Sequence, residues 1–120
     1  MPGKHILFAD DFKDNRDLYE FFLSEKGFRV TLANDGQEAL EKTIELLPDV
    51  VVMDYSLPLI NGWEATRRLK ADERTKHIPV LMLSGHDLSL LAPEIGCEGF
   101  LVKPCLPNTL IAEIDRVLAH

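Results

Sequence analysis

Only two cysteines, Cys97 and Cys105, occur in the 120 residues. They are too few for a disulfide framework, and their spacing matches neither a two-residue redox motif nor a four-ligand zinc site, so two small buried or half-buried thiols in a reducing setting are expected. No apolar run approaches the roughly 20 residues that cross a bilayer, and nothing at Met1-Pro2-Gly3-Lys4 reads as an export signal, which points to a cytoplasmic protein. Positive charge is also scarce: 13 Lys and Arg stand against 20 Asp and Glu, a net charge of -7, which opposes phosphate-backbone binding and argues against nucleic acid as a direct partner. The local exception, Arg67, Arg68 and Lys70, reads as a solvated helix face. With neither linker nor repeat, and 46% hydrophobic residues, the chain reads as one domain over 1–120 with a core of its own.

Four short apolar runs, Ile6–Ala9, Val50–Met53, Val80–Leu83 and Phe100–Val102, have the continuous pattern of strands covered on both faces. Phe28, Val30 and Leu32 alternate with polar residues and suit a strand at a sheet edge. Helical spacing places Leu18, Phe21 and Phe22 on one buried stripe, Leu40, Thr43, Ile44 and Leu47 on a second, and Leu110, Ile111, Ile114, Val117 and Leu118 on a third. Gly27 and Pro48 end the first two helices, Asp35-Gly36 opens the second, and Asn108 is the expected cap of the last. Strand and helix thus alternate five times, predicting a doubly wound parallel sheet with helices on both faces. Between the fourth and fifth strands, Pro93 and the short length predict a shortened or broken fourth helix, and Leu88, Leu90, Leu91 and Ile95 offer either extra burial or a patch for a partner.

In such sheets, sites form beyond the carboxyl ends of the strands. Asp10 and Asp11 follow the first apolar run, Asp54 the third, Ser84 the fourth and Lys103 the fifth. Each alone is an ordinary turn or cap residue, but together they bring an acid pair, a third acid, a hydroxyl and an ammonium to one edge. Clustered carboxylates require a cation, and hard oxygens without His or Cys favour Mg²⁺. That combination suits phosphoryl chemistry, in which one carboxylate is the nucleophile while the cation, Lys103 and Ser84 hold the phosphoryl oxygens.

The ordered set Asp10-Asp11, Asp54-Tyr55-Ser56-Leu57-Pro58 continuing to Gly62, Ser84-Gly85 and Gly99-Phe100-Leu101-Val102-Lys103-Pro104 resembles the receiver domain of two-component response regulators, over essentially the whole chain. The resemblance implies a flavodoxin-like five-stranded sheet of order 2-1-3-4-5. It implies Asp54 as phosphoacceptor, Asp11, Asp54 and the Ser56 backbone carbonyl as direct Mg²⁺ ligands, and Asp10 acting through metal-bound water. By the same resemblance, Lys103 pairs with the phosphoryl group, Ser84 and Phe100 are the switch residues, Pro104 follows a cis peptide, and Ser56 and His86 tune phosphoryl lifetime. The implied partners are a histidine kinase or phosphotransfer protein and a downstream protein on the face around residues 86–108. The expected protein is a phosphorelay switch and not an enzyme in the ordinary sense. A non-phosphorylated pseudo-receiver that works as an interaction module is the alternative, and a small Mg²⁺-dependent phosphohydrolase is a weaker one because no substrate-enclosing insertion is present.

Overall fold

The computed structural model describes residues 3–87, 94 and 96–119. Among them are five strands, β1 (His5–Ala9), β2 (Arg29–Ala33), β3 (Val50–Asp54), β4 (Val80–Ser84) and β5 (Gly99–Val102), and four helices. The helices are α1 (Lys13–Glu25), α2 (Gly36–Leu46), α3 (Gly62–Ala71) and α4 (Pro107–Leu118). All strand pairs are parallel, and the order is β2-β1-β3-β4-β5, as expected. The expected short helix between β4 and β5, with Leu88, Leu90, Leu91, Pro93 and Ile95, lies outside the described residues.

Alternation along β1, β3 and β4 sends successive side chains to opposite faces of the sheet, and both faces are covered. Ile6, Phe8, Val50, Val52, Leu81 and Leu83 pack with Tyr19 and Leu23 of α1 and with Leu110, Ile111, Ile114 and Val117 of α4. Leu7, Ala9, Val51, Met53 and Val80 pack with Ala39 and Leu40 of α2 and Ala65 and Leu69 of α3. β2 lies at one edge, which explains its half-buried, alternating pattern.

The structure corrects four expectations. The buried stripe of α1 is Tyr19 and Leu23, whereas Leu18, Phe21 and Phe22 are 46%, 59% and 39% exposed. At about 100° per residue the two stripes are neighbours on the helix, and Phe21 and Phe22 meet edge to face at 5.4 Å outside the core. Leu47 is likewise exposed, because it is the left-handed C-cap of α2 (φ 47°) and not its last helical turn. The last helix starts earlier than Asn108: Leu106 is the N-cap and Pro107 the first helical residue, where proline's fixed φ and missing N–H do no harm. Finally, Arg67 and Arg68 do lie on the exposed face of α3, paired with Glu64, but the Lys70 side chain is only 15% exposed and its ammonium reaches Glu98 (2.8 Å) and the Ile78 carbonyl (2.8 Å). Asp35 caps α2 as expected, accepting the Glu38 N–H at 2.7 Å.

Candidate phosphoacceptor and metal site

The sheet delivers its polar residues to one edge by register. Ala9 pairs with Met53, Asp54 with Leu83, and Ser84 with Val102. The Lys103 N–H then continues the ladder onto the Ser84 carbonyl at 2.7 Å. The residues at the strand ends, Asp10, Asp54 and Ser84, are 1%, 2% and 1% exposed. Asp11 is exposed at the mouth.

Asp54 is held through both oxygens: Oδ2 accepts from Lys103 Nζ at 2.6 Å and Oδ1 from the Ser56 N–H at 3.1 Å. Asp10 accepts the Phe12 N–H at 2.8 Å on Oδ1. Its Oδ2 faces Asn15 Nδ2 at 3.4 Å and Lys103 Nζ at 3.5 Å. Arg16 donates to the Asp10 backbone carbonyl at 2.8 Å, fixing the turn from β1 into α1. Neither Asn15 nor Arg16 was singled out by the sequence pattern, although both stand one turn into the helix that follows the acid pair.

One oxygen from each of Asp10, Asp11 and Asp54 falls within 4.8 Å of the others, the one such cluster among the described residues. Three hard carboxylates face a single ammonium, and no nitrogen or sulfur ligand is among them, a donor set that fits Mg²⁺ and does not fit zinc. Burial raises the Asp54 pKa above the usual carboxylate value; the Lys103 hydrogen bond opposes this, and the negative charge of Asp10 adds to it. Burial pulls Lys103 down, but its hydrogen bond and charge pairing with Asp54 and Asp10 prevail and leave its pKa raised.

Because the folded-state pKa of Asp54 lies above the unfolded one, its contribution to stability is complete at low pH and is lost as pH rises through the raised value. Asp54→Asn therefore raises the melting temperature of the metal-free protein near neutral pH. The gain has its cause in the burial that raises the Asp54 pKa. It fades as the pH falls below the ordinary carboxylate range, a trend that melting curves across pH will show.

Ser84 Oγ accepts the His86 N–H at 3.0 Å, and His86 itself is exposed. Ser56 is exposed beside Asp54. Phe100 is half-buried on β5 opposite Met82. The Lys103–Pro104 peptide is cis. Cys97 is half-buried and Cys105 buried, both as thiols. A groove of about 460 Å³ opens beside Lys103 between α1 and the β5–α4 loop, walled by Leu18, Tyr19, Pro104 and Leu106.

The sequence profile of the response regulator receiver domain matches residues 6–115. The chain belongs to the response regulator receiver domain family. The receiver domain is 34% identical over 121 residues to the phosphate regulon transcriptional regulatory protein PhoB of Pseudomonas aeruginosa, a match covering 98% of this chain and 53% of that protein. It thus spans about half the length of several curated relatives that it matches. The chemotaxis protein CheY of Thermotoga maritima is 32% identical over 117 residues, with 96% of this chain and 98% of CheY covered. Among solved structures, the receiver domain of a sensor histidine kinase from Pseudomonas aeruginosa, with magnesium coordinated in its active-site cleft, superposes with a TM-score of 0.90 at 29% identity, covering 98% of this chain and 99% of that one. Receiver domains of this family act as switches in two-component signalling. In this receiver domain no helix of the described residues is long and apolar enough to cross a membrane.

Proposed function

We propose that the 120 residues form one receiver unit that takes a phosphoryl group from a histidine kinase or histidine phosphotransfer protein onto Asp54, in the presence of Mg²⁺, and relays the change to a partner protein. The observation that carries this reading is the Lys103 ammonium 2.6 Å from a buried, strand-end Asp54 that shares an acidic cluster with Asp10 and Asp11. In the transfer, an Asp54 oxygen forms the new bond to phosphorus as the bond from phosphorus to the donor imidazole breaks. Lys103, already at Asp54, is placed to neutralise the oxygens of the passing phosphoryl group. Asp11, Asp54 and the Ser56 carbonyl would hold a Mg²⁺, with Asp10 acting through a bound water, and the cation would supply charge neutralisation at those oxygens.

Ser84 donates its hydroxyl proton to a phosphoryl oxygen, and its loop moves inward. Phe100, half-buried two strand positions before Val102, then takes up the vacated space, changing the face around residues 86–108. Val102 and Leu106, 46% and 71% exposed, give that face apolar surface for a downstream protein. The donor approaches over α1, where Leu18, Phe21 and Phe22 form an exposed apolar stripe beside the groove at Lys103. The charge balance of the receiver unit argues against direct contact with nucleic acid, and its activity as a switch on its own side chain is not turnover of an external substrate.

Two expected outcomes test this reading. Mg²⁺ raises the melting temperature of the wild type and raises that of Asp11→Asn far less, because the mutant keeps the fold but loses an exposed ligand. An equal shift in both would remove the metal site. Ser56 and His86, each two residues past a site residue, flank the path of the hydrolytic water and tune phosphoryl lifetime. His86→Ala therefore changes the dephosphorylation rate several-fold while phosphorylation proceeds, and an unchanged rate would remove His86 from this role.

A further inference from the structure

The sheet fixes most of the site but not the Lys103 ammonium. β1 and β3 are adjacent and pair Ala9 with Met53, which brings Asp10 beside Asp54, and β3 and β4 are adjacent and pair Asp54 with Leu83, one residue before Ser84. Lys103 follows β5, which is two strands removed from β3 and three from β1, and its side chain must reach back across β4 to meet Asp54 and Asp10. The ladder ends at the Lys103 N–H on the Ser84 carbonyl, 2.7 Å away, so it fixes that backbone atom and leaves the chain beyond it, and the reach of the side chain across the twisted sheet, to other contacts.

One buried side chain spans the same gap from the other side. Tyr19 of α1, 9% exposed, stacks its ring on Phe8 of β1 at 5.0 Å, two residues before Asp10. Its hydroxyl donates to the backbone carbonyl of Cys105, two residues after Lys103. A phenol is protonated at neutral pH, and burial raises its pKa further, so the donor proton is in place. Tyr19 therefore ties the strand that carries the acid pair to the loop that carries the ammonium. A leucine at position 19 would fill the same core but could not make that tie.

We infer that Tyr19 is a positioning residue for Lys103: its hydroxyl, through the Cys105 carbonyl, holds the Lys103 ammonium at Asp54 and Asp10. The inference rests on the acceptor reading for its functional consequence, since Lys103 matters to transfer only if Asp54 takes the phosphoryl group.

Tyr19→Phe removes the hydroxyl and keeps the ring stack. Two measurements decide the matter. The first is the ¹⁵Nζ cross-peak of the Lys103 ammonium in the metal-free protein, which an ordered, ion-paired lysine shows and a mobile one loses. It is expected in the wild type and broadened in Tyr19→Phe. The second is phosphorylation by a small-molecule phosphodonor with saturating Mg²⁺, expected to slow roughly tenfold in Tyr19→Phe. It is expected not to slow further when Tyr19→Phe is added to Lys103→Met, because the effect passes through Lys103. An unchanged cross-peak, or an equal loss in the Lys103→Met background, would overturn the inference and leave Tyr19 as core packing. If the wild type takes up no phosphoryl group, the acceptor reading falls instead, and the cross-peak comparison still decides whether Tyr19 positions Lys103.

Discussion

Lys103→Met is expected to slow phosphoryl uptake at Asp54 by about 10²–10³-fold, the range seen when one preorganised donor is removed from a developing charge. Methionine replaces the apolar stem of the side chain but supplies neither the ammonium 2.6 Å from Asp54 Oδ2 nor its weaker contact to Asp10. Phosphoryl transfer asks for little covalent help from the protein, so the loss of charge neutralisation falls almost wholly on the rate. The same substitution leaves two buried carboxylates, 1% and 2% exposed, facing each other without a protein cation. Metal-free Lys103→Met therefore also unfolds at lower temperature near neutral pH, and recovers more stability from added Mg²⁺ than the wild type does. Lys103→Arg keeps the charge and fails in geometry, so it falls between the two. A Lys103→Met rate within about threefold of wild type would show that Lys103 is a turn residue and not part of the transfer machinery.

The second large effect is structural and concerns Gly62, the first residue of α3. A Cβ built there would stand 2.2 Å from the Asp54 carbonyl oxygen, 2.8 Å from its carbonyl carbon and 2.9 Å from Tyr55 Cα. All three are backbone atoms, so no side chain can swing aside, and the Gly62 N–H is meanwhile committed to the Tyr55 carbonyl at 2.9 Å. Gly62→Ala must push α3 away from the end of β3. It is expected to cost roughly 2–4 kcal/mol in urea unfolding with an unchanged m-value. Because the displaced backbone is that of Asp54 itself, phosphoryl uptake falls as well. Gly85→Ala is the control: nothing lies within 4 Å of its built Cβ, so the same substitution there is near neutral. Equal stability of the two variants would mean that the α3–β3 approach is not close.

The site was readable from the sequence because of the kind of sheet that carries it. Strands buried on both faces leave uninterrupted apolar runs, so Asp10, Asp54, Ser84 and Lys103 stand out where those runs stop. The last helix and the edge position of β2 were legible for similar reasons, in the spacing of Leu110, Ile111, Ile114 and Val117 and in the alternation of Phe28, Val30 and Leu32.

The rotation of α1 was not legible. Leu18, Phe21 and Phe22 make a better apolar stripe by spacing than Tyr19 and Leu23, but the helix turns the poorer stripe inward. That choice lets the one polar aromatic of α1 reach Cys105, a contact 86 positions away in the chain that no local pattern announces. The start of α4 was missed by two residues, because proline at the first helical position competes with the asparagine cap rule. Gly62 enters the sequence reading only as the end of the motif that begins at Asp54, and only the packing reveals the backbone pressed against it.

The central claim, that Asp54 is a Mg²⁺-dependent phosphoacceptor, is tested most directly by intact mass after incubation with a small-molecule phosphodonor. Wild type and Asp54→Asn are compared with and without Mg²⁺. The account predicts the added mass of one phosphoryl group on the wild type with Mg²⁺, and none on either protein without the metal or on Asp54→Asn with it. No adduct on the wild type, together with no stabilisation by Mg²⁺, would contradict the account and make the chain a receiver fold that works by constitutive contact.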